Sequence, residues 1–431
     1  METLELLSPA GNVEKLYYAY LYGADAAYIG LKKFSLRVKA DNFYDEEYKK
    51  VCNILDTYNK TPEVLSGRKQ AKKLYCALNI SFHQKDIDNF VSDIEYFKKY
   101  PIDAFIVQDL GIVKILQKHF PGAALHLSTQ ANCINGEAAK MYRDMGFSRI
   151  VTGREASLEE IKIIKDKVPE MEIEAFAHGA MCIAYSGRCL MSAYMAGRSG
   201  NSGECAHSCR WDWRLYGEKK ESREERELFL EEKERPGELF PVYEGDGFTS
   251  ILSSKDLSMI DHLKEMKDAG VTSFKIEGRM KSLYYTALIT RAYRKGLDVL
   301  EGKIQEEKAA PFINEIEKVS HREFTTGFYF SREDADKTTK GETSSEYSLV
   351  GTIGEKTGEN LFKFNSMNKI DAGTPIEYIG PDLLFTEDRD YKLLNPDTME
   401  ERDWVCHGHP CLIKTGKEIR EGFIVRARLK K

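Results

Sequence analysis

The clearest structural signal in this sequence is residues 4–30, which read Leu4-Glu-Leu-Leu-Ser-Pro-Ala-Gly-Asn-Val-Glu-Lys-Leu-Tyr-Tyr-Ala-Tyr-Leu-Tyr-Gly-Ala-Asp-Ala-Ala-Tyr-Ile-Gly30. Leu4–Leu7 is a short apolar run typical of a strand, and Ser8–Asn12 is a turn that leads into a helical pattern. Gly23 closes that helix as its C-cap, and Ala26–Gly30 is a second apolar run. The stretch therefore predicts one β-α-β unit.

The same succession of a helix, a glycine and an apolar run recurs through the first 280 residues, as in Asp144–Gly153 and Asp268–Gly278. Eight apolar runs, mostly separated by helical patterns, predict eight parallel strands. They are Leu4–Leu7, Ala26–Leu31, Leu74–Ile80, Ala104–Val107, Ala124–Leu127, Arg149–Thr152, Glu172–Ala177 and Ser273–Ile276. Eight parallel strands with crossover helices favour an α/β fold of the TIM-type (β/α)8 barrel class, with a doubly wound open sheet as the alternative.

Two domains are expected. Residues 1–335 form the barrel, with an insertion after strand seven at about residues 180–254 that carries cysteines and then the charged stretch Gly217–Pro236. Residues 336–431 contain short strands such as Tyr347–Ile353 and Gly422–Arg426, spaced about 8–12 residues apart. This spacing predicts a small C-terminal β-barrel.

The composition is that of a globular protein, with 431 residues of which 42% are hydrophobic and 31% charged. No apolar run approaches the roughly 18 residues that a membrane span needs, so no membrane association is expected. The first residues lack the basic and apolar pattern of a signal peptide, which favours the cytoplasm. Nine cysteines in a reducing compartment indicate metal or catalytic roles more than disulfides. The net charge of −6 does not indicate nucleic-acid binding, which would need a local basic patch.

Polar residues follow several predicted strands, at the end where TIM-type barrels carry their active sites. Two carboxylates, one histidine and several arginines at one mouth suit a small anionic substrate, because guanidinium forks grip carboxylates. Polar residues also follow strands simply because loops are polar. The candidate catalytic residues are Glu155, His178 and Glu277, and the candidate substrate-binding residues are Arg37, Gln130, Arg154 and Arg279.

The insertion begins with four cysteines, Cys182, Cys189, Cys205 and Cys209, spaced Cys-x6-Cys-x15-Cys-x3-Cys. Four thiolates within 28 residues form a soft four-coordinate site. Structural zinc prefers tighter pairs, and here the second pair alone fits that pattern. The wide loops favour a 4Fe–4S cluster, with zinc and unliganded core thiols as alternatives.

The other motifs are weaker. Cys406-His-Gly-His-Pro-Cys411 looks like a metal-binding knuckle but has no second half. Cys52, Cys76 and Cys133 are isolated and are expected to be small buried side chains. The sequence has no Gly-x-Ser-x-Gly elbow, no His-Glu-x-x-His helix and no Gly-x-x-x-x-Gly-Lys phosphate loop.

Several of these stretches resemble the collagenase-like family of unassigned peptidases, over essentially the whole chain. They are Leu7–Gly11, His126–Gln130, Glu174–Cys182, Tyr185–Cys189 and Lys275–Arg279. Within that family, Cys205–Trp211, Arg235–Glu238 and Ser254–Leu257 are most similar to the prephenate-dependent tRNA hydroxylases.

This resemblance implies a function, a cofactor and partners. It implies hydroxylation of tRNA at carbon 5 of the wobble uridine, with prephenate instead of molecular oxygen. It also implies that Cys182, Cys189, Cys205 and Cys209 hold a 4Fe–4S cluster delivered by the iron–sulfur assembly machinery. Relatives act on ribosomal RNA or on a quinone precursor, which leaves those substrates as alternatives.

Two further alternatives are a peptidase, which the family label suggests, and a non-catalytic RNA or assembly factor with a structural metal. The residues themselves show no nucleophile paired with a base at a recognisable spacing, although His178 lies four residues before Cys182. For RNA binding, the C-terminal domain is the candidate docking module because its tail is basic. The basic residues are Lys414, Lys417, Arg420, Arg426, Arg428, Lys430 and Lys431.

Overall fold

A computed structural model describes thirteen ranges of the chain. They are residues 4–31, 34–35, 43–44, 46–182, 184–189, 191–196, 205–206, 208–210, 228–231, 239–245, 248–250, 254–331 and 345–429. The chain divides into two compact units. The first comprises residues 1–16, 25–280 and 322–343, and the second comprises residues 17–24, 281–321 and 344–431. The second unit therefore includes two segments that precede residue 336.

The first unit contains a closed barrel of eight parallel strands. The strands are β1 (Glu5–Pro9), β2 (Ala26–Ile29), β3 (Lys73–Leu78), β4 (Ala104–Val107), β5 (Ala124–Leu127), β6 (Arg149–Val151), β7 (Glu172–Ala180) and β12 (Ser273–Ile276). They pair in chain order, and β12 pairs with both β1 and β7 to close the ring. The predicted TIM-type barrel is confirmed, and its eight strands are those that the apolar runs indicated.

The barrel strands are almost entirely buried, as expected where both faces of a parallel sheet are covered. Between β7 and β12 the register shifts, so that Lys275 lies opposite Phe176 while Ile276 lies opposite His178. Such a bulge redirects side chains locally and often occurs beside active sites. Here it lies at the ends of the two strands that close the barrel.

Helices alternate with the strands. Those up to the insertion are α1 (Val13–Leu21), α2 (Glu47–Asn59), α3 (Pro62–Leu65), α4 (Gln84–Ser92), α5 (Ile94–Phe97), α6 (Val113–His119), α7 (Gly136–Asp144) and α8 (Leu158–Lys167). Helix α8 begins with a capping box in which Ser157 and Glu160 satisfy each other's backbone N–H groups. Asn135 caps α7 in the same position with its side-chain oxygen.

The insertion contributes α9 (Met191–Ala196) and a small antiparallel sheet of β8 (Leu228–Glu231), β9 (Leu239–Gly245) and β10 (Phe248–Ser250). Strand β11 (Asp256–Ser258) then runs antiparallel to the end of β7, and β13 (Phe324–Thr325) pairs with β11. Helix α10 (Leu263–Asp268) leads into β12. The charged stretch Gly217–Pro236 lies largely outside the described residues.

The second unit combines α11 (Leu283–Leu300) and α12 (Glu306–Ile313) with an antiparallel half-barrel sheet at the C-terminus. Its strands are β14 (Tyr347–Gly358), β15 (Leu361–Ser366), β16 (Ile370–Asp371), β17 (Ile376–Ile379), β18 (Thr386–Asp388), β19 (Lys392–Leu394), β20 (Trp404–Val405), β21 (Leu412–Lys414) and β22 (Ile424–Arg428). Seven of them form one sheet in the order β18-β17-β22-β14-β15-β21-β19, while β16 pairs with β20. An apolar core fills this half-barrel. In the described part of the chain, no helix has both the length and the apolar character needed to cross a bilayer.

Candidate active site at the barrel mouth

An open pocket lies at the carboxyl ends of the barrel strands. Four of the residues predicted from strand-end positions line it, namely Gln130, Arg154, Glu277 and Arg279. The polar residues Asn79, Ser128, Thr129 and Lys275 and the aromatic residues Tyr28 and Phe176 complete much of its wall. This is the position at which TIM-type barrels bind their substrates.

Arg154 and Glu277 both line the pocket and form an ion pair with each other. The Nη2 atom of Arg154 donates to Oε2 of Glu277 at 3.5 Å, and the Arg154 side chain is 11% exposed. The guanidinium also lies 4.1 Å from the ring centroid of Phe176, which is a cation–π contact. The backbone N–H of Glu277 donates to the carbonyl of His178 at 2.8 Å, so β7 fixes the position from which the Glu277 side chain starts.

Arg279 is buried, and both of its terminal nitrogens donate to Oγ of Ser35 at 3.3 Å. The turn after β1 packs against the same residue. A Cβ atom on Gly11 would lie 2.2 Å from the carbonyl oxygen of Arg279, so this close approach requires a glycine there. The turn that follows β1 therefore constrains the backbone of one pocket arginine. Arg37, the third arginine predicted for the site, lies outside the described residues.

Gln130 lies on a short 3-10 helix, Thr129–Ala131, that follows β5. Oγ of Ser128 caps this helix by accepting from the Gln130 N–H at 3.3 Å. The hydroxyl of Thr129 donates to the carbonyl of Thr152 at 3.0 Å. Local side-chain capping thus holds the Gln130 backbone at the pocket.

The other two predicted catalytic side chains are not among the described residues that line the pocket. Glu155 turns away and accepts hydrogen bonds from the backbone N–H of Ser186 at 2.5 Å and from Nδ2 of Asn132 at 3.1 Å. His178 is buried in β7, with its ring centroid 5.5 Å from that of Phe324. Glu155 therefore connects the barrel to the insertion, and His178 packs beneath β13.

Lys275 is a pocket residue that the sequence reasoning missed. It is 5% exposed, and its Nζ donates to Oε1 of Glu174 at 2.6 Å while lying 4.5 Å from the Tyr28 ring centroid. A lysine in the middle of an apolar barrel strand was the available signal, because lysine is almost never fully buried without a partner.

Glu174 connects Lys275 to a buried charge network inside the barrel. Arg149 Nη1 lies 3.3 Å from Glu174 and 2.5 Å from Glu5, and Tyr75 donates its hydroxyl to Glu5 at 2.6 Å. Burial alone would raise the pKa of Glu5, but Arg149 beside it holds that pKa below its ordinary value. Alternating charges therefore extend from the amino ends of the strands to the pocket.

The segments that carry Cys205 and Cys209 contact helix α9, which follows Cys189 in the sequence. The N–H of Ala206 donates to Oγ of Ser192 on α9 at 2.8 Å, and α9 packs against the 3-10 helix Ser208–Arg210. None of the nine cysteines is in a disulfide. Cys182 is exposed, and the other three thiols, Cys189, Cys205 and Cys209, are half-buried. These soft donors suit a metal cluster in their chemistry.

Their arrangement does not by itself define a metal centre. Over the ranges that the structure describes, no group of three or more His, Cys, Asp or Glu side chains is arranged to hold a metal ion. The four thiols are therefore candidate metal ligands because of their donor chemistry and because the segments of Cys205 and Cys209 contact α9. At the other cysteine motif, Cys406 Sγ lies 3.4 Å from Nδ1 of His409, whereas Cys411 is a core thiol whose pKa burial raises to about 11.

The prediction that Arg426 belongs to a basic C-terminal surface is wrong. Arg426 is fully buried, with Nη1 2.5 Å from Glu315 and Nη2 2.6 Å from Glu377. Its strand places it inside because Arg426 pairs directly with Glu377 in the half-barrel. Arg428, two residues on, is exposed, and Lys430 and Lys431 lie outside the described residues.

An eight-stranded α/β barrel with a cation-rich pocket at the carboxyl ends of its strands is the architecture of a barrel enzyme. The model of peptidase family U32 matches residues 11–339. The chain therefore belongs to peptidase family U32, the collagenase-like family that the motifs indicated.

Named relatives of the chain include RNA-modifying proteins. It is 34% identical to tRNA hydroxylation protein P of Escherichia coli (strain K12), over 88% of this chain and 86% of that protein. It is 34% identical to the 23S rRNA 5-hydroxycytidine C2501 synthase of the same strain, over 76% of this chain and 46% of that protein. A protein named collagenase from Porphyromonas gingivalis (strain ATCC BAA-308 / W83) is 29% identical over 76% of this chain and 74% of its own length.

Proposed function

We propose that this chain is a tRNA-modifying enzyme that hydroxylates carbon 5 of the wobble uridine, with prephenate as co-substrate and without molecular oxygen. The likeness to tRNA hydroxylation protein P over 88% of the chain supports tRNA as the substrate. The observation that carries the proposal is the pocket at the barrel mouth, whose charges suit a small dicarboxylate.

The described pocket lining contains three cationic side chains, Arg154, Lys275 and Arg279, against one carboxylate, Glu277. Prephenate has two carboxylate groups, and arginine forks bind such groups with two parallel hydrogen bonds. Burial strengthens these interactions because water competes less for the charges. We assign the co-substrate to these three cations, with Gln130 and Arg37 as further contacts.

Glu277 is the candidate proton-transfer group because it alone of the three proposed catalytic side chains lines the pocket. Arg154 contacts its carboxylate and orients it. Glu155 then acts by holding the Ser186 turn, and His178 contributes through its backbone carbonyl, which accepts from the N–H of Glu277.

Cys182, Cys189, Cys205 and Cys209 are the residues that would hold a 4Fe–4S cluster, which supplies electron transfer when bound. The protein would then depend on the iron–sulfur assembly machinery. An enzyme acting on tRNA would work in the cytoplasm. The C-terminal unit is the proposed docking module, with exposed Lys414, Lys417, Arg420 and Arg428 in place of the buried Arg426.

Nucleoside mass spectrometry of tRNA tests the proposal. A strain that lacks this protein should lose 5-hydroxyuridine-derived nucleosides, and the wild-type gene should restore them. An Arg154→Ala gene should not restore them, whereas Arg143→Ala should, because Arg143 is a half-buried arginine of α7 that is not part of the described pocket lining and pairs with Glu170.

Two other results would redirect the assignment. Unchanged tRNA with a missing ribosomal RNA hydroxylation would favour the rRNA alternative, which the 23S rRNA synthase relative supports. Cleavage of collagen peptides by the purified chain, with unchanged RNA, would favour a peptidase. The described pocket lining contains no cysteine and no histidine, which argues against a thiol peptidase at this site.

A further inference from the structure

The turn Tyr185–Arg188 lies between Cys182 and Cys189 in the sequence and contacts the backbones of the pocket residues Gln130 and Arg154. The N–H of Arg188 donates to the carbonyl of Tyr185 at 3.0 Å, with Ser186 and Gly187 as the central residues. Gly187 has a φ of +73°, which is the conformation that the second central residue of a type II turn requires. The turn therefore has one defined shape.

Ser186 fixes this turn to the barrel. It is buried, its N–H donates to Glu155 at 2.5 Å, and its Oγ lies 3.3 Å from Oγ1 of Thr129 and 3.5 Å from the N–H of Arg154. Gly187 completes the docking, because a Cβ atom on it would lie 2.1 Å from the carbonyl oxygen of Gln130. The inner side of the turn is thus attached to the backbones of two pocket residues.

The outer side of the same turn presents an aromatic ring and a cation. Tyr185 is 60% exposed and Arg188 is exposed, on either side of the two anchored residues. A large exposed aromatic side chain on a rigid turn loses little entropy when it binds a flat partner. Its position beside a pocket with three cations favours a polyanion.

We propose that Tyr185 and Arg188 form a platform for single-stranded RNA, on which Tyr185 stacks an unpaired base while Arg188 contacts a neighbouring phosphate. Enzymes that modify a base must take it out of the stack, and proteins hold unstacked RNA bases on aromatic side chains. The platform would hold a nucleotide of the tRNA anticodon loop, next to the base that enters the pocket. This inference rests on the proposed function and names the contact that presents the RNA.

Binding of an unmodified tRNA transcript by the full-length protein tests the platform. Tyr185→Leu keeps apolar bulk but loses the flat ring, and we expect it to weaken binding about 5- to 150-fold, the range for loss of one base–aromatic stack. Tyr185→Phe should bind like the wild type. Arg188→Gln should lower the salt dependence by about 0.7 units of slope, the value for one phosphate contact on a single strand, and Arg188→Lys should retain it. Tyr44→Leu is the matched control, since Tyr44 is another exposed tyrosine of the first unit.

A double-mutant cycle that combines Tyr185→Leu with altered transcripts identifies the stacked base. Transcripts with one abasic nucleotide at each position of the anticodon loop should bind the wild type more weakly at one position, and Tyr185→Leu should show no further loss there. Prephenate affinity should not change in either tyrosine variant. If the wild type hydroxylates tRNA while Tyr185→Leu binds every transcript normally, the platform is excluded and the proposed function stands. A wild-type chain that neither binds nor hydroxylates tRNA overturns both.

Discussion

Nζ of Lys275 lies 2.6 Å from Oε1 of Glu174, and both side chains are almost completely buried where the barrel interior meets the pocket. The pair links a pocket cation to Arg149, and Arg149 in turn contacts Glu5 and the exposed Glu172 in one chain of contacts. Because the Lys275 ammonium has three protons and Glu174 accepts one, it can also donate to an anion in the pocket.

Lys275→Met should therefore weaken prephenate binding and destabilise the protein. Loss of a charged hydrogen bond costs about 1.5–3 kcal/mol, or about 10- to 150-fold in Kd. Breaking a buried ion pair adds an unfolding cost of up to about 3–5 kcal/mol, because Glu174 then keeps only its longer contact with Arg149, at 3.3 Å. The double variant with Glu174→Gln should recover part of the unfolding free energy but none of the affinity. Calorimetry and thermal unfolding separate the two effects, and normal affinity in Lys275→Met would exclude Lys275 as a ligand contact.

Arg154→Ala should lose affinity for prephenate by about 10- to 150-fold, because its guanidinium lines the pocket and is only 11% exposed. Arg154→Lys should recover part of this, since a lysine keeps the charge but not the fork. Calorimetric titration with prephenate measures both, with Arg143→Ala as the surface control. Equal affinity in all variants, including Arg279→Ala, would show that the dicarboxylate binds elsewhere.

The Glu5–Arg149 pair predicts a pH dependence of stability. The pKa of Glu5 is lower in the folded protein than its ordinary value of 4.5, so its ionised form stabilises the folded state. That contribution is present above about pH 4.5 and is lost as the pH falls through the folded pKa. Glu5→Gln should flatten the decline of unfolding free energy below pH 4.5, measured by urea unfolding. Glu159→Gln, at an exposed position on α8, should leave the decline unchanged.

The barrel could be predicted from sequence because its strands are buried on both faces and therefore read as mostly apolar runs. The strand-end rule also located Gln130, Arg154, Glu277 and Arg279 at the pocket. It could not tell which way a loop side chain turns. Glu155 directly follows Arg154, yet it points to Asn132 and Ser186 because hydrogen-bond donors lie there.

Two further differences between the sequence-based expectations and the structure depend on which face of a strand a side chain occupies. Lys275 and Arg426 both lie inside strands, where a shift of one residue moves a side chain to the opposite face. The carboxylates that stabilise these buried cations, Glu174 and Glu315, are about 100 residues away in sequence. Their pairing depends on tertiary register, so neither the pocket role of Lys275 nor the burial of Arg426 follows from local pattern.

Gly187→Ala should undock the turn that precedes Cys189. The new Cβ would clash with the carbonyl oxygen of Gln130 at 2.1 Å, and φ of +73° adds a backbone strain of about 1–2 kcal/mol. Gly67→Ala is a close control, because Gly67 has a φ of +72° with no atom within 4 Å of the added Cβ. Hydrogen exchange should increase at residues 184–189 in Gly187→Ala alone, and tRNA hydroxylation should fall. Equal rates of hydrogen exchange at residues 184–189 in Gly187→Ala and Gly67→Ala would mean that the close approach of Gly187 to Gln130 does not hold the turn.

The cysteine prediction concerns metal content. Anaerobically purified protein should contain about four irons per chain, the number that a cubane requires, with broad absorbance near 400 nm. Cys189→Ala should lose iron and hydroxylation together, because a cubane needs all four thiolates. Cys52→Ala should keep both, since Cys52 lies on α2 and outside the four-cysteine set. Elemental analysis and the visible spectrum measure the outcome independently of activity. Stoichiometric zinc without iron would exclude the cluster and favour a structural metal at the same thiols, and loss of iron in Cys52→Ala would exclude the four-cysteine assignment.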